Sequence, residues 1–205
     1  MISTSHRFLF IHVPKTGGNS VQQVLSGFSD DTVVRTAPHH DGIERFEVRS
    51  DKYNTAKHST LAHYQREYGN ELLGGLFKFC CVRNPWDRCI SHFFSPFRGR
   101  VEWSKGAFLR FVETEIKPLD SYIANAHQAA SLRQCLENID FVIRFESLQT
   151  DFDIVCRQLS LPSTVLPRRN ASAKDMFQRY YDSDTADVVA TRFSDEIECF
   201  GYSLS

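Results

Sequence analysis

The stretch FIHVPKTGGNSVQQVL, from Phe10 to Leu25, constrains the fold more than any other part of the chain. A strand-like start meets Lys-Thr-Gly-Gly-Asn-Ser and then apolar residues at helical spacing: Val21, Val24, Leu25 and Phe28. The layout is that of a phosphate-binding loop, yet the usual Gly-x-x-x-x-Gly-Lys-Ser/Thr order is absent, because Lys15 comes before Gly17 and Gly18. A loop between a strand and a helix presents unpaired N–H groups and the positive end of a helix dipole. Gly17 and Gly18 let the backbone approach a ligand closely. Lys15 adds a mobile charge, and Thr16, Asn19 and Ser20 add donors. The dipole alone contributes ~0.3–1 kcal/mol, so Lys15 and the backbone donors must supply most of any affinity. A glycine-rich turn with an exposed lysine is the purely structural alternative. The order of strand, Lys-Thr, Gly-Gly and Ser favours an anion site.

A second constellation follows the apolar run LFKFCCVR, Leu76–Arg83, which reads as a strand covered on both faces. Asn84 suits a helix N-cap, Pro85 the first turn, and Asp87 the positive helix end, with the helix running to about Phe94. Arg83 closes the strand at its carboxyl end, where open α/β sheets place their ligands. Ser91 lies two helical turns on. With this strand beside the first one, Arg83 and Ser91 reach a second phosphate, and the planar guanidinium suits bidentate contacts. Arg88 either helps or faces solvent. The structural alternative puts Arg83 in a salt bridge and Ser91 in helix packing. Two anion sites on one sheet edge suit a nucleotide phosphorylated at two places.

The rest of the chain agrees with an α/β fold. Arg7–Val13 is a first strand, Gly18–Phe28 a first helix, and Ser59–Tyr68 a helix capped by Ser59. Lys105–Ile116 and Tyr122–Leu136 read as helices, Ile139–Phe145 as a third strand, and Ser147–Leu159 as the helix after it. A basic loop, Pro167–Ala173, precedes a last helix, Asp184–Phe200, ending at Gly201. Residues 29–56 are polar and irregular, with short elements at most. Strands separated by helices imply a central parallel sheet with helices on both faces. The 205 residues fit a single domain, 1–205.

Bulk properties narrow the function. A formal net charge of −1 gives no global pull toward nucleic acid or an anionic membrane, so any anion site is built locally. No apolar run is long enough to cross a bilayer. The start, MISTSHRFLFIHV, is too short and polar for a signal peptide, and the chain reads as beginning at its own first strand; a chain trimmed of an N-terminal anchor reads the same way. The six cysteines form no C-x-x-C pair, and Cys80 and Cys81 should point to opposite faces of a strand. Small buried hydrophobes in a reducing cytoplasm are the expectation, with no metal site.

The two constellations carry a resemblance. His12-Val13-Pro14-Lys15-Thr16-Gly17-Gly18-Asn19-Ser20 resembles the 5′-phosphosulfate loop of sulfotransferases that use 3′-phosphoadenosine 5′-phosphosulfate (PAPS). Val82-Arg83-Asn84-Pro85-Trp86-Asp87-Arg88 with Ser91 is similar to their 3′-phosphate motif. The carbohydrate-type branch is the nearest in pattern, including the heparan 2-O- and chondroitin 4-O-sulfotransferases and small bacterial members. Arg144-Phe145-Glu146-Ser147-Leu148, Asn170-Ala171-Ser172 and Asp195–Tyr202 extend the likeness over nearly the whole chain. The resemblance implies a P-loop-like three-layer fold and transfer of a sulfuryl group to a hydroxyl or amine of a glycan or small molecule. The released product is adenosine 3′,5′-bisphosphate, and no metal is needed. Lys15 then neutralises charge building on the leaving phosphate oxygen. Relatives often continue the second motif with Ser-x-Tyr, where this chain has Ser91-His92-Phe93.

Transfer to an alcohol needs a proton acceptor, and histidine is the side chain suited to that near neutral pH. His58, in Ala56-Lys57-His58-Ser59, falls between the two motifs, in the region from which the heparan 2-O enzymes draw their base. It is the expected base, with His63 in reserve and helix capping or packing as the alternative role. His12 is read as structural, and His39-His40-Asp41 as a solvated loop. Arg168, Arg169 and Lys174 form a basic patch that either closes over the nucleotide or is solvated. Glu146 orients a basic residue or caps the next helix. Trp86 and Phe93 are read as core rather than adenine-stacking residues. The acceptor pocket is expected from residues 29–56 and 95–130. A P-loop kinase using ATP and Mg²⁺ and a non-catalytic nucleotide-binding module are the competing classes.

Overall fold

A computed structural model describes residues 1–38, 45–126, 131–167 and 177–204. His39, His40 and Asp41 lie outside the described residues, as do Arg168, Arg169, Lys174 and Asn170–Ser172. In chain order the elements begin with β1 (Ile2–Ser3), β2 (Phe8–Ile11), α1 (Gly18–Leu25), β3 (Thr32–Thr36) and β4 (Arg45–Arg49). Next come α2 (Leu61–Tyr68), α3 (Asn70–Gly74), β5 (Phe77–Val82), α4 (Pro85–Phe93), α5 (Lys105–Thr114), α6 (Asp120–Ile123) and α7 (Leu132–Leu136). The chain closes with β6 (Phe141–Arg144), α8 (Leu148–Gln158), α9 (Ser183–Arg192) and α10 (Ser194–Phe200).

The main sheet has the order β1-β2-β5-β6. β2, β5 and β6 run parallel, with Phe10 beside Phe79 and Phe79 beside Phe141; β1 adds an antiparallel edge. Both faces are covered, which is why these strands are apolar almost throughout. One face packs Phe8, Phe10, Phe79 and Cys81 against Val21 and Leu25 of α1 and Phe152 and Val155 of α8. The other packs Leu9, Ile11, Cys80 and Val82 against Leu61 and Tyr64 of α2 and Tyr122, Leu132 and Cys135. Cys80 and Cys81 therefore point to opposite faces as expected, and all six cysteines are free thiols. A third cluster joins α4, α5 and α9 through Trp86, Phe93, Phe108, Phe111, Val189 and Phe193. Trp86 and Phe93 are thus core residues, and Trp86 Nε1 donates to the Ala186 carbonyl at 3.2 Å.

Several boundaries differ from the sequence reading. Thr60, not Ser59, caps α2 by accepting from the His63 amide; the Ser59 hydroxyl is taken by the Ala56 amide at 2.9 Å. The expected helix over 122–136 resolves into α6 and α7, the latter opened by a Ser131–Gln134 capping box. The expected last helix breaks at Phe193, whose backbone leaves the helical region (φ −114°, ψ 27°) as its ring enters the third cluster. The irregular stretch after α1 holds the β3–β4 pair, a separate antiparallel ribbon with Val34 opposite Glu47. Among the described residues no helix is long and apolar enough to cross a membrane.

Candidate active site

The glycine-rich loop joins β2 to α1. Lys15 sits in the left-handed region (φ 69°), and Gly17, the residue before α1, does so too (φ 86°). Thr16 is fully buried and donates its hydroxyl to the Val13 carbonyl at 2.8 Å. The Ser20 amide closes the turn onto the Gly17 carbonyl at 3.0 Å, and its hydroxyl donates to the Pro167 carbonyl at 2.8 Å. Both glycines are sterically required. A Cβ on Gly17 would stand 3.0 Å from Phe145 and Leu148, and one on Gly18 would stand 2.3 Å from the His12 ring.

Beside this loop opens a cleft of about 380 Å³, a size suited to a small ligand. Lys15 and Asn19 line it from the loop, His12 and Pro14 from the end of β2, and Lys57 and His58 from the segment before α2. Arg45 and Glu47 of β4 form another wall, with His92 of α4 and the Ser95–Arg98 turn completing it. The Asn19 amide oxygen and His92 Nδ1 are buried there with no partner among the described residues, and a bound ligand commonly satisfies such groups.

Burial, with Arg83 and Arg45 nearby, lowers the Lys15 ammonium to about 8. His58 donates Nδ1–H to the His12 carbonyl at 3.0 Å. Its ring opens onto the cleft, and the surrounding walls lower its pKa by desolvation, assisted by the Lys57 charge and opposed by that hydrogen bond. Lys57 itself is buried, donates to the Phe46 carbonyl at 2.6 Å and lies over the Phe46 ring. His12 is buried, hydrogen-bonded to Gln22 Oε1 at 2.8 Å and held well below the usual imidazole pKa, chiefly by burial. His92 is lowered to about 4 by burial and by Arg88, Lys15, His58 and Arg98. The cleft therefore holds three neutral imidazoles at pH 7 among lysines and arginines.

The second constellation is built differently from its sequence reading. Arg83 is buried; Nε and Nη2 fork onto Asp87 at 2.8 and 2.7 Å, and Nη1 donates to the Lys15 carbonyl at 3.1 Å. Its guanidinium lies 3.9 Å from the centre of the Phe145 ring. Arg88 neither faces solvent nor reaches the cleft: it is fully buried, donates to the Lys117 carbonyl at 2.7 Å, and stands 3.5 Å from Glu196. Among the described residues Glu146 neither orients a basic residue nor caps α8; it accepts from the Asn84 amide at 2.7 Å and the Tyr202 hydroxyl at 3.2 Å. Ser91 is partly exposed on α4 and is not part of the cleft wall. His63 is also outside that wall, beside Ser59 and Glu67. The structure thus brings together Lys15, Asn19 and His58; Thr16, Gly17, Gly18 and Ser20 shape the loop behind them.

The Sulfotransferase family model matches residues 1–203. The chain belongs to the sulfotransferase family. Carbohydrate sulfotransferase 12 of Mus musculus is 28% identical to this sulfotransferase over 104 residues, covering 47% of this chain and 24% of the mouse protein. An uncharacterized protein of Archaeoglobus fulgidus is 26% identical over 115 residues, covering 54% of this chain and 90% of its own. The chain thus spans about a quarter of the mouse relative's length. No solved structure gives a significant match. The α/β architecture, with its parallel strands and covering helices, is consistent with the P-loop-like fold of this family. Sequence reasoning missed Arg45, Glu47, Phe97 and Arg98 in the cleft wall. They come from the two stretches expected to supply an acceptor pocket, but no motif marks them.

Proposed function

We propose that this sulfotransferase moves a sulfuryl group from PAPS to a hydroxyl of a glycan or small-molecule acceptor. The observation that carries the reading is that Lys15, on the glycine loop, and His58, with a fixed tautomer, line the same cleft. The loop residues Lys15 to Ser20 receive the 5′-phosphosulfate. The donor set suits it: a lysine, the N–H groups of a helix start, and side-chain donors, with no metal bridging phosphates required. Ser91 and the two N–H groups of Arg83 not used by Asp87 or Lys15 are assigned to the 3′-phosphate.

His58 Nε2 carries the lone pair when Nδ1–H is donated to His12, and it takes the acceptor proton. The acceptor oxygen bonds to sulfur as the bond between sulfur and the 5′-phosphate oxygen breaks. Lys15 stabilises the charge left on that oxygen, and adenosine 3′,5′-bisphosphate departs. The likeness to a carbohydrate sulfotransferase supports a glycan acceptor. Six free thiols support a reducing, cytoplasmic setting.

Calorimetric titration with adenosine 3′,5′-bisphosphate, ADP and ATP, each with and without Mg²⁺, tests the reading. Tight, metal-independent binding of the bisphosphate is the expected result. Binding of ATP only, and only with Mg²⁺, would overturn it in favour of a kinase.

A further inference from the structure

We propose that Glu47 is a positioning residue for proton transfer: its carboxylate acts through His58 by stabilising the imidazolium that forms when the acceptor proton arrives. The inference rests on the sulfotransferase reading above. The segment before α2 runs along β4. Arg49 and Ala56 form an antiparallel bridge, and the Thr55 carbonyl accepts from the Ser50 amide at 3.4 Å. The same register, continued two residues past the bridge, sets Glu47 opposite His58. Lys57 fastens the two segments at that level by donating to the Phe46 carbonyl at 2.6 Å. Side chains alternate along β4, so Phe46 and Val48 are buried in the core while Arg45 and Glu47 line the cleft.

Among the described residues that line the cleft, Glu47 is the one carboxylate, set against Lys15, Arg45, Lys57 and Arg98. His12 and His92 are neutral there and offer no counter-charge. Burial is the largest influence on His58 and disfavours its charged form, as does Lys57; the His12 hydrogen bond and the Glu47 charge favour it. In the transfer, Nε2 takes the acceptor proton as the acceptor oxygen bonds to sulfur and the bond from sulfur to the 5′-phosphate oxygen breaks. The imidazolium so formed stands among four cations, with Glu47 as its opposing charge, and it returns to the neutral form by giving the proton to water. A fixed charge aimed at charge that develops in the reaction raises turnover, and a histidine made less basic is a weaker base.

Glu47→Gln removes the charge and keeps the shape. Heteronuclear NMR follows the His58 ring of the ligand-free protein through a pH titration. The expected result is a titration midpoint moved downward in Glu47→Gln, with Glu47→Asp, which keeps the charge, holding the midpoint closer to the wild type. An unmoved midpoint in Glu47→Gln would overturn the proposal.

Hydrolysis of PAPS, with water as the acceptor, gives the kinetic readout. Release of adenosine 3′,5′-bisphosphate at saturating PAPS slows about ten-fold in Glu47→Gln. The acid limb of its pH profile moves downward, and calorimetry shows no loss of bisphosphate affinity. A weakened bisphosphate affinity with an unchanged rate at saturating PAPS would overturn the proposal and place Glu47 in the donor site. If the wild type neither binds the bisphosphate nor hydrolyses PAPS, the donor reading fails, and the NMR titration still decides whether Glu47 acts on His58.

Discussion

His58 and His12 are joined twice: the His58 Nδ1–H donates to the His12 main-chain carbonyl at 3.0 Å, and the two rings lie 4.5 Å apart. A carbonyl can only accept, so the bond fixes the His58 tautomer and leaves Nε2 as the basic nitrogen. Because the carbonyl lies directly after β2, the proposed base is referenced to the same strand that leads into the glycine loop.

Replacing His58 by Ala lowers turnover by about 10²–10⁴-fold and leaves bisphosphate affinity near normal. Its pKa is lowered, so the working neutral form persists into mildly acidic solution, and the acid limb of the rate profile lies below the ordinary imidazole value of 6.5. Single-turnover rates across pH check both points. Full turnover in the Ala variant at neutral pH would rule out this base.

Lys15 sets the opposite limb. In the proposed mechanism the protonated amine stabilises the leaving phosphate oxygen, and burial followed by Arg83 and Arg45 brings its pKa to about 8. Raising the pH through that value discharges the amine, so kcat/KM falls on the alkaline side. Lys15→Arg keeps its charge and shifts that limb upward. Lys15→Ala loses activity at every pH, which a full pH profile of the three proteins reveals.

Gly18→Ala is expected to destabilise by about 1–3 kcal/mol, because the added methyl meets the His12 ring at 2.3 Å. Scanning calorimetry shows this as a lowered Tm. Adding His12→Ala to Gly18→Ala removes the obstacle, and the double variant loses less than the sum of the single losses.

Arg88→Met leaves Glu196 buried without its cation and costs about 3–5 kcal/mol. Burial already pushes the Glu196 pKa up against the pull of Arg88, so its charge depends on that partner. Denaturant midpoints measure the loss. Adding Glu196→Gln removes the stranded charge and recovers part of it.

The parts legible in the sequence are those whose signals are local. The strands around Phe10 and Phe79 are apolar because both faces are covered, and the α4 start carries Asn84, Pro85 and Asp87 within four residues. The β3–β4 ribbon was not legible, since TVVRT and RFEVR interleave charges with apolar residues, and β3 stays largely exposed while Phe46 and Val48 of β4 are buried. The break at Phe193 is set by where a distant cluster accepts its ring, which no periodicity within the helix records.

Lys15 and His58, both expected at the site from the sequence, line one cleft, but the partners of Arg83 and Arg88 were not legible. Arg83 answers to Phe145 and Lys15, and Arg88 to Lys117 and Glu196, contacts that only the assembled sheet and helices bring about. The Arg144–Leu148 segment carried a signal without a meaning; Phe145 supplies it by covering Arg83 and leaving no room for a side chain at Gly17.

Gly18 rests against the His12 imidazole with no space for a methyl group. The His12 ring therefore lies directly against the glycine loop at Gly18. The height at which the loop rides above the sheet is set by the shape of the side chain at position 12. A smaller residue there lets the loop settle and a bulkier one lifts it, so this one position, itself in the cleft wall beside His58, tunes the depth of the cleft.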